Sequence, residues 1–183
     1  MAKKKDKNID QFKQGIFSLR TNFGELAQLM VKKDMGLHAA DNGSYDLKDD
    51  NGHRIEVKFS RAYKKVSLTE DNAIDICTNS TSTVYASSEA EDKAANYDCN
   101  IEQLKPRCFD SLYYGVFFAD RIAIFKMNSN EIMSCLGYSD KQHKGNEGEG
   151  QFHLNRSTID YHMKNHFVQW LTYEELYDML SAL

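Results

Sequence analysis

The residues best suited to chemistry lie in one short stretch, residues 45–62. At its centre, Asp50-Asn51-Gly52 has the composition of a tight three-residue loop, since glycine readily adopts the positive φ that such loops need. The following segment alternates polar and apolar side chains, which is the period of a half-buried β-strand. Its apolar members are Ile55, Val57 and Phe59, and its polar members are Glu56, Lys58 and Ser60. Together these patterns predict a β-hairpin.

The register of this hairpin brings two acids and one amine onto the same face. Counting back from a three-residue loop places Asp46 opposite Glu56, and directly opposed residues share a face with Cβ atoms roughly 4.5–5.5 Å apart. Lys58, two residues further along the second strand, joins them. Asp49 and Asp50 belong to the turn, where their carboxylates would point away from Glu56.

Two facing carboxylates repel each other, so the arrangement is an odd choice for stability alone. A divalent cation between them removes the repulsion, and Mg²⁺ commonly takes one or two protein carboxylates together with water and a substrate phosphate. Such an ion polarises a phosphoryl oxygen and lowers the pKa of a water molecule, which Lys58 could orient or deprotonate. The alternative is an ordinary solvated hairpin face, because Glu-x-Lys tripeptides are common.

The segment before the hairpin is predicted to be helical. Its apolar residues recur at three- and four-residue spacing, which predicts one amphipathic helix, or two broken near residues 21–24, ending around Gly36. Glu25 lies within this helix, off the apolar stripe. Residues 1–8 are expected to be a basic tail.

The second half of the chain supplies a buried hairpin and a final helix. Residues 111–119 form a nearly continuous apolar run, typical of a central strand buried on both faces, and residues 122–127 are predicted to pair back onto it. Residues 128–136 suit a short helix with Ser129 as its N-cap. Thr172-Tyr173-Glu174-Glu175 has the pattern of a capping box that opens the last helix.

Side chains able to contact nucleic acid cluster in two further places. A short basic group follows the hairpin, and residues 139–156 are a polar, glycine-rich segment expected to be a DNA-contacting loop. The candidates are Arg61, Lys64, Lys65, Lys141, His143, Lys144, Asn155 and Arg156. The alternatives are a solvated strand edge and a plain surface loop.

A second pair of residues has metal-binding spacing. His162 and His166 are four residues apart and could share one face of a helix. However, no third ligand lies nearby, and a strand-like segment, residues 167–171, follows directly. A zinc site is therefore disfavoured.

The composition is that of one globular domain. The chain has 183 residues, of which 41% are hydrophobic and 27% charged, enough for a core that needs no cross-links. No apolar run is long enough to span a bilayer and no signal-peptide pattern is present, so we expect no membrane partner. Four widely spaced cysteines favour free thiols in a reducing cytosol. A net charge of −4 does not favour nucleic acid, although one face could still be basic.

The residues assembled so far resemble the PD-(D/E)xK phosphodiesterase superfamily and, within it, the type II restriction endonucleases. The resemblance rests on Gly24-Glu25-Leu26-Ala27, Tyr45-Asp46-Leu47 and Glu56-Val57-Lys58, in that order. It continues weakly through Gln103-Leu104-Lys105-Pro106 and the aromatic hairpin at residues 112–127, and so covers about residues 10–130. Tyr45 stands where the nominal pattern has proline, a departure that many members share.

This resemblance implies a fold and a role for each matched residue. The fold would be α/β (α+β), restriction-endonuclease-like, with a central mixed β-sheet flanked by helices in a single domain, residues 1–183. Asp46 and Glu56 would bind Mg²⁺ together with the backbone carbonyl of Val57. Lys58 would position the attacking water and stabilise charge on the phosphate, and Glu25 would support the metal site from the first helix. Weaker candidates on the neighbouring strand are Gln103 and Lys105.

The implied activity is Mg²⁺-dependent hydrolysis of double-stranded DNA at a specific sequence. Because cutting a palindrome needs two sites, the expected form is a homodimer, working in the cytoplasm of a prokaryotic cell. Two alternatives remain open: a repair or recombination nuclease of the same fold that reads DNA structure, and a non-catalytic DNA-binding module. Retention of Glu25, Asp46, Glu56 and Lys58 argues against the module.

Overall fold

The computed structural model describes residues 2–64, 66–89, 96–140 and 148–182. Two helices come first, α1 (Ala2–Ser18) and α2 (Phe23–Asp34). The break between them confirms the two-helix alternative, and Gly36 follows α2 with a φ of 64°. Because α1 begins at Ala2, most of the stretch expected to be a tail belongs to a helix.

A six-stranded mixed sheet forms the centre of the protein. In spatial order its strands are β1 (His38–Ala39), β2 (Leu47–Lys48), β3 (Arg54–Arg61), β5 (Ser111–Phe117), β6 (Arg121–Asn128) and β9 (Phe167–Thr172). Strands β3 and β5 run parallel, and the other neighbours run antiparallel. The protein is therefore mixed α/β with a mixed central sheet flanked by helices, as expected.

A second, three-stranded antiparallel sheet was not expected. It consists of β4 (Asp98–Leu104), β8 (Gly150–Asn155) and β7 (Tyr138–Ser139), with β8 in the middle. The prediction of a loop over residues 139–156 is therefore wrong for Ser139 and for Gly150–Asn155, which lie in strands, while the predicted DNA contact stays a prediction. Phe152 and Leu154 alternate with polar residues and are fully buried, which gives β8 one core-facing side. Residues 141–147 lie outside the described part of the chain.

The remaining helices among the described residues are short. They are α3 (Ala73–Thr78), α4 (Ser80–Val84), a 3₁₀ helix (Ser129–Ser134), α5 (Ile159–Asn165) and α6 (Tyr173–Ser181). The predicted capping box of α6 is confirmed: the Thr172 hydroxyl accepts from the Glu175 N–H at 3.1 Å, and the Glu175 carboxylate accepts from the Thr172 N–H at 2.8 Å. The 3₁₀ helix is capped by Asn128, one residue before the predicted cap.

The core has two parts, one on each face of the large sheet. Tyr113 packs with the helical layer formed by α1, α2 and α6, whereas its neighbour Tyr114 packs with Phe152 and the rest of the small sheet. Strand β5 is buried on both faces, which confirms its predicted central position. All four cysteines are free. The helices seen in the described residues are too short or too polar to cross a membrane.

Candidate active site

The hairpin of residues 45–62 forms with the predicted register. Leu47 lies opposite Ile55, and Gly52 takes up the turn with a φ of 78°. The Asp49 carboxylate accepts hydrogen bonds from two backbone N–H groups of the turn, each at 2.9 Å. Asp49 therefore stabilises the turn, in agreement with its assignment.

Asp46 lies directly before β2 and is held from two sides. One carboxylate oxygen accepts from the backbone N–H of Val57 at 2.8 Å, and the other accepts from the Gln28 amide at 2.7 Å. Strand β2 contains only two residues. The Asp46 side chain therefore accepts the hydrogen bond from Val57 that the backbone of a longer strand would accept. The result is a carboxylate with a defined orientation on the edge of a cleft.

Glu56 and Lys58 project from β3 into the same cleft, while Ile55 and Val57 alternate with them and are buried. The Lys58 ammonium lies 2.8 Å from the Glu56 carboxylate, and their side chains are only 29% and 13% exposed. The cleft has a volume of about 430 Å³, and Asp46 lines it as well. The tertiary structure thus brings together the three groups that the hairpin register predicted.

The electrostatics of the cleft destabilise ionised acids. Burial raises the pKa of Glu56; the charge and hydrogen bond of Lys58 oppose the rise, and the nearby Asp46 carboxylate adds to it. Burial also raises the pKa of Asp46, against the hydrogen bond from Val57 and the charge of Lys58. Two acids with raised pKa values beside a lysine in one cleft are typical of functional sites.

The opposite wall of the cleft comes from the small sheet. Gln103 and Lys105 lie at the end of β4, and Glu149 directly precedes β8. The Lys105 ammonium pairs with the Glu149 carboxylate at 2.9 Å. Gln103 and Lys105 were predicted on a strand neighbouring the catalytic hairpin. They instead reach the cleft from the second sheet, because β4 pairs with β8.

Glu149 was missed by the sequence analysis. Its side chain is 4% exposed, and the pairing of Leu104 with Gly150 between β4 and β8 places it beside Lys105. Its local context, Gly148-Glu149-Gly150, is typical of a loop and gives no periodic signal.

The helix-borne contact to the site differs from the predicted one. Glu25 lies exposed on the first turn of α2 and is not among the described residues that line the cleft. Gln28, three positions later on the same helix, makes the hydrogen bond to Asp46. The rotation of α2 about its axis is set by burial of Ala27, Met30 and Val31.

Two of the predicted DNA-contacting residues have structural partners. Arg61 donates to the backbone carbonyls of Phe17 and Leu19 at 2.9 and 2.7 Å, which ties β3 to the end of α1. Asn155 accepts from the Ser157 N–H at 3.0 Å and so stabilises the turn after β8. These contacts account for both residues without DNA.

Lys64 and Arg156 are the other predicted DNA contacts among the described residues. Lys64 is half-buried beside α4, with its backbone N–H bonded to Val84 at 2.7 Å. Arg156 is exposed and borders a separate cleft of about 280 Å³ that Trp170 also lines. The remaining candidates lie outside the described residues: Lys65, Lys141, His143 and Lys144.

The histidine pair belongs to the core. His162 on α5 is fully buried, lies 2.8 Å from the Tyr114 hydroxyl through its Nδ1 atom, and stacks on Phe152 with ring centroids 5.2 Å apart. Burial lowers the pKa of His162 to about 4, so it is neutral at physiological pH. His166 is buried beside it.

The donor set of the cleft fits a hard cation. Within the described ranges, no three or more His, Cys, Asp and Glu side chains are grouped to hold a metal ion. The pair Asp46 and Glu56 is smaller, but it matches the one or two carboxylates that Mg²⁺ commonly takes when water and substrate phosphate complete its shell. Each carboxylate oxygen retains lone-pair capacity beyond its present hydrogen bond.

No protein-family model matches this chain, and no curated protein shows significant similarity to it. What the fold and the cleft define is a mixed α/β protein whose cleft is lined by three carboxylates, Asp46, Glu56 and Glu149, and by two lysines, Lys58 and Lys105.

Proposed function

We propose that this protein is a Mg²⁺-dependent nuclease of the PD-(D/E)xK type that hydrolyses double-stranded DNA at a specific sequence, as type II restriction endonucleases do. The observation that carries the proposal is the convergence of Asp46, Glu56 and Lys58 in one cleft, with their order and hairpin register as the family resemblance implies. The mixed sheet flanked by helices supports it, since this is the architecture that the resemblance implies.

Each residue of the cleft has a separate role in the proposed reaction. Asp46, Glu56 and the carbonyl of Val57 would hold the cation. When bound, Mg²⁺ supplies polarisation of the phosphoryl oxygen and lowers the pKa of a coordinated water. Lys58 orients the attacking water and stabilises the charge that develops on the phosphate. Glu56, 2.8 Å from the Lys58 ammonium, fixes the direction of that side chain.

Preorganisation supports the same assignment. Asp46 is oriented by hydrogen bonds from Val57 and Gln28, so its carboxylate does not have to reorder when the cation and substrate arrive. The homodimer and the setting in a prokaryotic cytoplasm follow from the restriction-enzyme proposal.

Plasmid cleavage tests the proposal directly. With Mg²⁺ the protein should cut a plasmid of known sequence into discrete fragments, and EDTA should abolish the reaction. Cutting confined to branched substrates would favour the repair-nuclease alternative, and full activity in EDTA would exclude the cation-dependent mechanism.

Substitution of Lys58 tests the site. Lys58→Ala should lower the cleavage rate by about 10²–10⁴-fold, the range for loss of a group that transfers or orients a proton, while DNA binding in Ca²⁺ persists. Lys33→Ala is the matched control, because Lys33 is a lysine at the end of α2 that bonds only a carbonyl of α6 among the contacts described. Undiminished cleavage by Lys58→Ala would overturn the assignment.

A further inference from the structure

The wall of the cleft opposite the hairpin carries an ion pair whose two members differ greatly in exposure. The Glu149 side chain is 4% exposed, whereas the Lys105 side chain is 53% exposed, and the charged atoms are 2.9 Å apart. A buried carboxylate is costly unless a partner compensates it. Glu149 therefore holds one face of an ammonium whose remaining surface is open to the cleft.

The backbone leading to Lys105 is shaped to place it there. Strand β4 is irregular between Ile101 and Leu104, and Gln103 has a φ of 57°, a left-handed conformation that is uncommon outside glycine. Leu104 is fully buried, so the chain turns inward at that residue and Lys105 emerges at the cleft. Irregularities of this kind re-aim side chains beside functional sites.

Lys105 lines the same cleft as Asp46 and Glu56, the carboxylates of the proposed cation site.

The cleft does not end at Lys105. A groove of about 750 Å³ shares Lys105, Cys108 and Glu149 with it and continues past Arg107 to Tyr138. Lys105 stands at the junction of the two spaces. An extended polymer that entered the cleft would have room to leave along this groove.

We infer that Lys105 binds a backbone phosphate adjacent to the one that is cut, and that Glu149 is a positioning residue that acts through Lys105. An ammonium has three donors, so the bond to Glu149 leaves others for phosphate oxygens. The inference rests on the proposed nuclease function and adds a second phosphate subsite, with the nucleic-acid strand passing from the cleft into the groove.

The salt dependence of DNA binding tests the subsite without relying on cleavage. Duplex affinity is measured in Ca²⁺ at several salt concentrations for the wild type, Lys105→Ala, the double variant Lys105→Ala/Glu149→Gln and the control Lys33→Ala. The double variant matters because Lys105→Ala alone removes an ammonium that pairs with a buried carboxylate and could destabilise the fold. Loss of one phosphate contact should reduce the slope of log affinity against log salt by about one in both Lys105 variants and leave the control unchanged.

Cleavage kinetics test the role of Glu149. Glu149→Gln should lower kcat while keeping the wild-type salt slope, because the ammonium remains but loses its orientation. In the Lys105→Ala background it should lower kcat no further, since Glu149 then has nothing to position. Glu174→Gln, on an exposed turn of α6, is the control for loss of a carboxylate charge.

The outcomes separate the two proposals. A wild type that neither binds nor cuts DNA overturns the nuclease function and the subsite together. A wild type that binds and cuts, with a double variant of unchanged salt slope, overturns the subsite alone. Independent losses of kcat from Lys105→Ala and Glu149→Gln overturn the positioning role.

Discussion

The carboxylate of Asp46 accepts a hydrogen bond from the backbone N–H of Val57 at 2.8 Å. One side chain therefore extends the pairing of a two-residue strand and also faces the cleft. Stability and chemistry depend on the same carboxylate, but on different properties of it. The hydrogen bond needs an oxygen, whereas cation binding needs the negative charge.

Two substitutions of Asp46 should separate these properties. Asp46→Asn keeps an oxygen for the Val57 N–H, and its NH₂ group can donate to Gln28 once the Gln28 amide turns over to accept, so stability should change little. Asp46→Ala leaves that N–H without its partner and should cost about 1–3 kcal/mol. Urea denaturation measures the difference. Plasmid cleavage should be lost in both variants, and an active Asp46→Asn would remove Asp46 from the cation site.

Gln28 and Glu25 are the two candidates for the residue of α2 that supports the site. Gln28 contacts Asp46 at 2.7 Å, so Gln28→Ala should lower the cleavage rate by roughly 10–100-fold, the range for residues that orient a metal ligand. Glu25→Ala should have little effect, because Glu25 is exposed and is not among the described residues that line the cleft. The reverse pattern would favour the assignment that the family resemblance implies over the contact in the structure.

Mg²⁺ should stabilise the wild type, and this stabilisation should require Glu56. Burial raises the pKa of Glu56 in the folded protein, so stability falls as pH rises from the unfolded-state value through the folded-state value. At neutral pH the ionised carboxylate is thus a net cost that a bound cation relieves. Glu56→Gln should melt higher than the wild type in EDTA and show no gain with Mg²⁺, whereas the wild type should gain. Differential scanning calorimetry measures both, and an equal gain in both proteins would contradict the assignment.

His162 should contribute to acid destabilisation. Burial lowers its pKa to about 4 from an ordinary value of 6.5, so the unfolded chain takes up a proton first and stability falls as pH drops between those values. His162→Leu should flatten that fall relative to the wild type. Urea denaturation at pH 4.5 and pH 7 measures the change, and an unaltered pH dependence would show that the imidazole is protonated in the fold.

Much of the local structure could be predicted because it depends on neighbours in the chain. The Asp50-Asn51-Gly52 turn sets the register that aligns Asp46 with Glu56, and alternation over β3 assigns their common face. The capping box at Thr172 and the apolar run of β5 are equally local. Each of these features depends on the spacing of residues a few positions apart in the chain.

Tertiary packing alone decided the rest of the cleft. Pairing of β4 with β8 joins Ile101 to Phe152, residues far apart in the chain, and no periodic pattern specifies such a partner. The same pairing places Glu149 beside Lys105. On α2, both Glu25 and Gln28 are polar and off the apolar stripe, and only the packing of the helix on the sheet presents Gln28 to Asp46. By itself the sequence determined which groups share one face of the hairpin. Long-range burial determined which residues lie across the cleft from that face, because the free energy of burial depends on contacts between distant segments.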